Sequence, residues 1–250
     1  MLYQYQCLFS FLLWVIYLVS ATPAKDITNR QAVPFVQIEG GLDAISVGSR
    51  FNVWGVINNE IFRYTGNDSV PWVQIPGGLA QVSAAADGTV WGVSSDTLIW
   101  RYNGVSWDQI EGGLQRISVG SSTNVWGVNN NEIFRYTGNN SQPWIQIPGG
   151  LTDISVAADG TVWGVSADTR IWRYTGSSWT QVEGGLQRIS VGSSTDVWGV
   201  INGEIFRYTG SASSPWIQIP VGLTDIGVGA DGVVWGVNSA DHSIWRWTGE

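Results

Sequence analysis

The tetrapeptide Val53-Trp54-Gly55-Val56 decides the fold of this chain, because the sequence contains Val-Trp-Gly-Val six times. The tryptophans of the six copies are Trp54, Trp91, Trp126, Trp163, Trp198 and Trp235, at successive spacings of 37, 35, 37, 35 and 37 residues. A nearly fixed period of this length is the mark of a repeat architecture, in which each copy is one supersecondary unit. The sequence therefore predicts six structural repeats.

Each repeat contains three further apolar segments around the tetrapeptide. In the first repeat these are 42–48, which alternates apolar and small polar residues, 61–64 and 72–75. β-branched and aromatic residues fill the segments, and turn formers such as Asp87-Gly88 separate them. Four short antiparallel strands in each of six repeats predict an all-β fold, a six-bladed β-propeller. The first strand should lie innermost, because small residues such as Gly48 fit a crowded axis.

The two ends of the repeat region complement each other. The sixth repeat has three strand segments, and a single segment of the fourth type, 35–38, precedes the first repeat. We expect this N-terminal strand to complete the last blade, which would pair two edges that are otherwise exposed. The propeller is therefore predicted to span residues 35–250.

The N-terminal residues form an apolar run over 8–19, followed by small residues. This pattern predicts a secretory signal peptide, 1–24, that is cleaved from the mature chain, with a short segment, 25–34, before the propeller. The alternative is a single membrane anchor, although the run is short for a bilayer, which needs about 20 residues. Since Cys7 is the only cysteine, a secreted mature chain would carry no disulfide.

Charge and composition exclude several classes of function. Only 13% of the residues are charged and the net charge is −8, which argues against nucleic acid and against adhesion to anionic lipid. His242 is the only histidine. A Ser/His/Asp triad and a histidine-based zinc site both need histidine, so the sequence argues against both. No paired carboxylates or calcium loop stand out. We expect no enzyme activity, no metal, no cofactor and no membrane insertion.

The repeats alternate between two types. The turn after Val-Trp-Gly-Val is rich in asparagine in the odd repeats and carries Ser and Asp in the even ones, as in Asn58-Asn59 against Ser95-Asp96. The ring should therefore have pseudo-threefold symmetry with a period of 72 residues. Sites built on its loops would fall into two classes of three.

Binding of a sugar needs an aromatic surface and a few fixed hydrogen-bonding groups. Three recurring positions offer these groups, and each also has a structural explanation. The alternative role, packing between blades, is favoured for the tryptophans of the tetrapeptide because a tryptophan buries a large area; these are Trp54, Trp91, Trp126, Trp163, Trp198 and Trp235. The third-strand arginines are Arg63, Arg101, Arg135, Arg173, Arg207 and Arg246, and they would serve either a structural carboxylate or a glycan. The second-turn residues are Asn58, Asp96, Asn130, Asp168, Asn202 and Asp241, which turn formation alone also explains.

Two sequons lie at equivalent third-turn positions, 72 residues apart. They begin at Asn67 and Asn139 and are predicted N-glycosylation sites in surface loops.

The unit that carries these residues resembles the tectonin repeat. It reads Trp-x-Gln-Ile-Pro-Gly-Gly-Leu, Ile-Ser-Val-Gly, Val-Trp-Gly-Val and Ile-Phe-Arg-Tyr-Thr-Gly in order, and it covers residues 35–250. The resemblance, to tectonins, a horseshoe-crab tachylectin, fish egg lectins and fungal tectonin lectins, implies a secreted, multivalent carbohydrate-binding lectin. Its partners would be glycans on cell or microbial surfaces, including O-methylated sugars or lipopolysaccharide, in defence or recognition. The alternative function is an extracellular protein-interaction scaffold with no glycan binding.

Overall fold

The computed structural model describes residues 34–249, which form six four-stranded antiparallel sheets. β1 (Phe35–Ile38) comes first in the chain. Blade I holds β2 (Ala44–Ser49), β3 (Asn52–Ile57), β4 (Glu60–Tyr64) and β5 (Trp72–Ile75). Blade II holds β6 (Gln81–Ala84), β7 (Val90–Val93), β8 (Ile99–Tyr102) and β9 (Trp107–Ile110). Blade III holds β10 (Arg116–Ser121), β11 (Asn124–Asn129), β12 (Glu132–Tyr136) and β13 (Trp144–Ile147).

The second half of the ring repeats this order. Blade IV holds β14 (Asp153–Val156), β15 (Val162–Val165), β16 (Ile171–Tyr174) and β17 (Trp179–Val182). Blade V holds β18 (Arg188–Ser193), β19 (Asp196–Ile201), β20 (Glu204–Tyr208) and β21 (Trp216–Gly222). Blade VI holds β22 (Asp225–Val228), β23 (Val234–Asn238) and β24 (Ser243–Trp247), with β1 as its fourth strand. The predicted six-bladed propeller is confirmed.

The N-terminal strand closes the ring as predicted. β1 pairs antiparallel with β24, with Phe35 opposite Trp247 and Ile38 opposite Ile244. Blade VI in turn contacts blade I, where the N–H of Ile45 donates to the Asp225 carboxylate at 3.0 Å. The predicted signal peptide lies outside the described residues. Within 34–249 no helix has the length and apolarity needed to cross a membrane.

The turns divide between two faces. Because neighbouring strands are antiparallel, the turns between first and second strands and between third and fourth strands lie at the same end of every blade. We call that end the lower face. The turns between second and third strands, and the connections to the next blade, lie on the upper face.

The first strand of each blade lies innermost, as predicted, and the six first strands line a narrow central channel. Each inner strand has no neighbour on its axial side, so its N–H groups there need other acceptors. Serine hydroxyls of the preceding blade supply them, accepting backbone N–H groups at 2.9–3.0 Å; these serines are Ser46, Ser83, Ser118, Ser155 and Ser190. Gly227 takes the sixth position and cannot make this bond.

Close packing explains why the third residue of the repeated tetrapeptide is always glycine. At Gly55, a Cβ atom would lie 2.4 Å from Cδ1 of Leu42, and the equivalent leucine crowds each of the other five glycines in the same way. This leucine ends the connection between blades and is buried at 1–2% exposure in every repeat. The hydrophobic core accordingly consists of clusters shared by adjacent blades, such as Trp126 and Val128 of blade III packed with Leu151 and Ile154 of blade IV.

Candidate functional site

The six tetrapeptide tryptophans lie between blades, where each is at most 2% exposed. Trp126, for example, meets Tyr174 of the next blade edge to face, with ring centroids 5.2 Å apart. A ligand cannot stack on rings that are this deeply buried. Packing between blades therefore explains these six residues, and any part they have in a site is to support other groups.

The indole N–H groups separate the interfaces into two classes. In the odd blades the N–H of Trp54, Trp126 or Trp198 donates to the side chain two residues earlier, at 2.7–2.9 Å; these acceptors are Asn52, Asn124 and Asp196. In the even blades the same position holds Thr89, Thr161 and Val233. There, the indole N–H groups of Trp91, Trp163 and Trp235 are buried without a hydrogen-bond partner among the described residues. The alternation predicted for the turns thus extends into the blade interfaces.

The third-strand arginines use these tryptophans as supports. The guanidinium carbons of Arg63, Arg101, Arg135, Arg207 and Arg246 lie 5.3–5.8 Å from the centroid of the tryptophan in the same blade. This is the range of a cation–π contact, which holds the cation against the ring face. Among the described arginines at this position, Arg173 is the exception, and it is one of the residues that line a cavity on the lower face.

Two of the six arginines also have a carboxylate partner. Arg207 pairs with Asp196 at 3.5 Å, and Arg246 pairs with Asp68 of blade I at 2.9 Å. Hydrogen bonds from Arg246 and Tyr64 hold the pKa of Asp68 below its usual value. Pairing with a structural carboxylate, one of the two roles predicted for the third-strand arginines, therefore explains Arg207 and Arg246. Within residues 34–249, no carboxylate lies within 4.0 Å of the guanidinium nitrogens of the other four, Arg63, Arg101, Arg135 and Arg173.

The lower face has a cavity of about 540 Å³ lined by blades III and IV together with Ser194 of blade V, which we call the III–IV cavity. Its polar and aromatic lining includes Asn124, Trp126, Arg135, Asp159, Thr161, Arg173, Tyr174 and Ser194. The Asp159 carboxylate accepts the N–H groups of Thr161 and Ser194, both at 2.9 Å. Burial alone would raise the pKa of Asp159, but these hydrogen bonds outweigh it and lower the pKa. The cavity thus combines fixed donors and acceptors with the half-buried ring of Tyr174, within the volume range of small-ligand sites.

The predicted second-turn residues lie on the other face. Trp126 and Asn130 are four residues apart along one strand and its turn, about 13 Å at 3.3 Å per residue. Asn58, Asn130 and Asn202 have φ of 47–52°, a left-handed conformation that two-residue hairpin turns require. The structure does not bring these residues together with the arginines, and turn geometry accounts for the three asparagines.

The aspartates of the even turns have a different setting. A second cavity of about 250 Å³ on the upper face is lined by Asp168 and Ser166 together with Trp172, Trp179 and Leu151. The Ser166 hydroxyl donates to Asp168 and accepts from the indole N–H of Trp172 at 3.0 Å. Asp96 accepts from Ser94 in the same way, and Asp241 accepts from Ser243. Trp179 is not among the predicted site residues, although its position repeats in the sequence.

The two sequons lie on the lower face in exposed loops. The side-chain oxygens of Asn67 and Asn139 accept the N–H groups of Ser69 and Ser141, at 3.0 and 2.9 Å. Glycosylation at these asparagines stays a prediction.

The central channel contains polar and ionisable side chains that the sequence analysis did not identify. Asp153 accepts the N–H of Ile189 at 2.9 Å, and Gln81 and Asp225 make the equivalent bonds to the following blades. Burial raises the pKa of Asp153 to about 7, against the lowering effect of the Arg116 guanidinium. Burial likewise raises the pKa of Asp225 to about 6. Since each of these side chains satisfies a backbone N–H at the axis, their role is structural.

The groups needed for a metal site are not gathered in the described part of the chain. No cluster of three or more His, Cys, Asp or Glu residues occurs within 34–249. His242 lies on the upper face with Nδ1 2.7 Å from the Asp43 carboxylate, where it bridges blades VI and I.

Comparison with known proteins agrees with this architecture. The family model of the Tectonin domain matches residues 57–214 and 129–250. No match was found among curated proteins.

Several solved structures share the propeller fold at low sequence identity. The WD40 β-propeller domain of Doa1 is 11% identical over 86% of this chain and 96% of that one, with a TM-score of 0.60. A protein of unknown function from Bacteroides thetaiotaomicron is 11% identical over 84% and 70% of the two chains, with a TM-score of 0.61. YCF48 bound to D1 peptide is 15% identical over 84% and 78%, with a TM-score of 0.54. At these identities the likeness extends to the fold alone.

Proposed function

The chain belongs to the tectonin family, and from this premise we propose that it is a secreted, multivalent glycan-binding protein. The tectonin domain on a propeller fold is typical of lectins and of protein-interaction propellers. The lectin role is favoured here by the III–IV cavity. That cavity places a guanidinium, an amide, a carboxylate and a tyrosine ring around one open space.

The chemistry of this cavity suits a sugar. Pyranose rings offer hydroxyl groups and apolar C–H faces, so they need paired donors and acceptors beside aromatic carbon. Arg135 is exposed, is held over Trp126 at 5.8 Å, and has no carboxylate partner among the described residues, so its donors are free for a ligand. Trp126 gives its own N–H to Asn124 at 2.8 Å, which fixes the ring below the arginine. This preorganisation reduces the entropy lost when a ligand binds.

Repetition supplies the multivalency. Arg63 with Trp54 in blade I repeats the arrangement of Arg135 with Trp126 at a distance of 72 residues, so blade I offers a second site of related chemistry. Several weak sites on one rigid ring gain affinity for a glycan-dense surface through effective concentration. The partners we propose are glycans on cell or microbial surfaces, and the mechanism requires neither a cofactor nor catalysis.

A glycan array probed with the folded protein tests the proposal. It should include O-methylated sugars and lipopolysaccharide. We expect binding to defined glycans, weakened by Arg135→Gln. The matched variant Asp168→Asn, in the upper cavity, should leave binding unchanged. If Asp168→Asn abolished binding and Arg135→Gln did not, the site would lie on the upper face. No binding by the folded protein to any glycan would contradict the proposal, and protein capture that survives deglycosylation of the partner would support the interaction-scaffold alternative.

A further inference from the structure

The central channel opens on the upper face beside a cavity of about 410 Å³, which we call the channel-mouth cavity. Arg116 and Arg188 line both the channel and this cavity, and Gln187 and Thr152 are among their neighbours in the cavity wall. Among residues 34–249, the lining of the cavity contains no carboxylate. A wall with two guanidiniums and no acid is a local exception in a chain whose net charge is −8.

The two arginines converge on one atom. Nε of Arg116 lies 4.0 Å from Oδ1 of Asp153, and Nη1 of Arg188 lies 3.8 Å from the same oxygen. These two nitrogens are therefore at most about 8 Å apart, a gap that one oxyanion can span with a charge-assisted hydrogen bond of about 2.7–2.9 Å on each side. Both contacts with Asp153 are longer than such a bond, and neither guanidinium donates a hydrogen bond to a residue of 34–249. Their side chains are 26% and 34% exposed, so a ligand in the cavity can reach them.

The amide of Gln187 adds further donors to the same wall. Its oxygen accepts the N–H of Asn202 at 2.9 Å. The amide N–H groups have no partner among the described residues. The unused hydrogen-bonding capacity of the wall is therefore mainly that of donors, which suits an anionic ligand.

The acidic residues beside the two arginines do not cancel their charge. Asp153 and Asp225 line the channel itself. Burial raises the pKa of Asp153 to about 7 and that of Asp225 to about 6, against the lowering effect of the Arg116 guanidinium. Arginine stays charged throughout this range. About half of the Asp153 side chains are thus protonated near pH 7, and the two arginines and two aspartates together carry a net positive charge.

The pseudo-threefold symmetry of the ring does not repeat this arrangement. Arg116 and Arg188 begin the first strands of blades III and V, and Ala44 has the equivalent position in blade I. The residue before Ala44 is Asp43, where blade V has Gln187. Within the described ring, the sector from blade III to blade V is therefore the one that brings two of these guanidiniums together.

We propose that the channel-mouth cavity binds a small organic anion through its sulfate, phosphate or carboxylate group, with Arg116 and Arg188 as the ligands of that group. The planar guanidinium fork matches such oxyanions in two-point hydrogen bonding. The volume of about 410 Å³ lies in the range of small-ligand sites, so it has room for the organic part of the molecule as well. The site lies on the upper face and does not depend on the glycan binding proposed for the lower face.

Calorimetric titration of the full chain at low ionic strength tests the inference. The probes are isobutyrate, methyl sulfate and methyl phosphate, with isobutyramide as the neutral counterpart of isobutyrate and inorganic sulfate as the free ion. We expect one anion per chain, bound at least about tenfold more tightly than the neutral amide because its hydrogen bonds are charge-assisted. Added salt should weaken the binding.

Three variants assign the site to its residues, and a fourth is the control. Arg116→Gln and Arg188→Gln should each lower the affinity for the anion about tenfold or more. Asp153→Asn, measured at about pH 8 where the aspartate is ionised, removes the negative charge between the arginines and should raise the affinity at least about threefold. Arg170→Gln makes the same change at an exposed upper-face arginine that pairs with Asp168 at 3.2 Å, and it should leave the affinity unchanged.

The outcomes decide between a ligand site and a structural cluster. Equal affinity for isobutyrate and isobutyramide, with no binding of the sulfate and phosphate esters, would overturn the proposal. Unchanged affinity in both arginine variants would also overturn it, as would weaker anion binding by Asp153→Asn. The Asp153→Asn result decides the question even if the arginine variants fail to fold, because loss of structure cannot raise affinity. Tighter binding of inorganic sulfate than of every organic anion would overturn the organic part of the ligand.

Discussion

Replacing Ser118 by alanine tests the row of serines around the axis. The Ser118 hydroxyl accepts the N–H of Val156 at 2.9 Å, and the two residues are 8% and 4% exposed. Val156 lies on the axial side of blade IV, where no neighbouring strand offers an acceptor. The variant therefore leaves a buried N–H without a partner, which costs about 1–3 kcal/mol.

This loss should be visible in the melting temperature. For a domain of this size, 1 kcal/mol corresponds to about 2–4 °C, so Ser118→Ala should melt roughly 2–12 °C below the parent protein. Circular dichroism during heating measures the shift, and urea denaturation measures the free energy of unfolding. Ser177→Ala is the control, because Ser177 is exposed in a lower-face turn of the adjacent blade and should change stability by less than about 0.5 kcal/mol. An equal melting temperature for the two variants would refute the reasoning, since it would mean that water satisfies the Val156 N–H.

Three further changes address the tetrapeptide, the channel and the ring closure. Gly127→Ala places a Cβ 2.3 Å from Cδ1 of Leu114 and should lower the free energy of unfolding in urea by about 1–3 kcal/mol; an unchanged midpoint would contradict this packing role. Burial raises the pKa of Asp153 from 3.8 to about 7. Between these two pH values the folded protein retains a proton that the unfolded chain has lost, so the free energy of unfolding should fall as the pH rises from 3.8 to about 7. Asp153→Asn should flatten this part of the pH dependence of the melting temperature, and an identical slope would show that Asp153 is ionised throughout. Phe35→Ala removes a ring that is 6% exposed and should cost about 3–5 kcal/mol, whereas Val36→Ala, at 41% exposure, should cost little in the same urea experiment; equal losses would argue against closure through the Phe35 face.

The fold could be predicted from the sequence because its signals are local and repeat six times. Val-Trp-Gly-Val identifies one strand of each blade, and its spacing gives the length of the repeat. Because the pattern recurs six times, it predicts the fold more strongly than a single copy would. The closing strand was also predictable, since Phe35 to Ile38 lacks a blade of its own in the sequence. Each of these predictions depends on neighbours in the chain or on a simple period.

The candidate site was predicted only in part, because it depends on which side chains meet across blades. The sequence identified Arg135 and Arg207 as equivalent, but only the structure shows that Asp196 pairs with the latter while Asn124 leaves the former free. Asn130 was grouped with the arginines because both recur in every repeat, whereas the strand directions place Asn130 on the opposite face. Asp159 resembles an ordinary turn former, and its place in the cavity follows from the contact between blades III, IV and V.

The closure of blade VI by β1 has a consequence for biosynthesis. Phe35 is translated before any other strand of the propeller, and its partner Trp247 follows about two hundred residues later. At 5–20 residues per second, this interval lasts roughly 10–40 s. During that time blades I to V can form from contiguous chain, while the apolar strand Phe35–Ile38 has no edge to join. The ring is thus completed only after Trp247 has been translated, and the strand Phe35–Ile38 is until then the segment of the propeller that a chaperone or a second nascent chain would encounter unpaired.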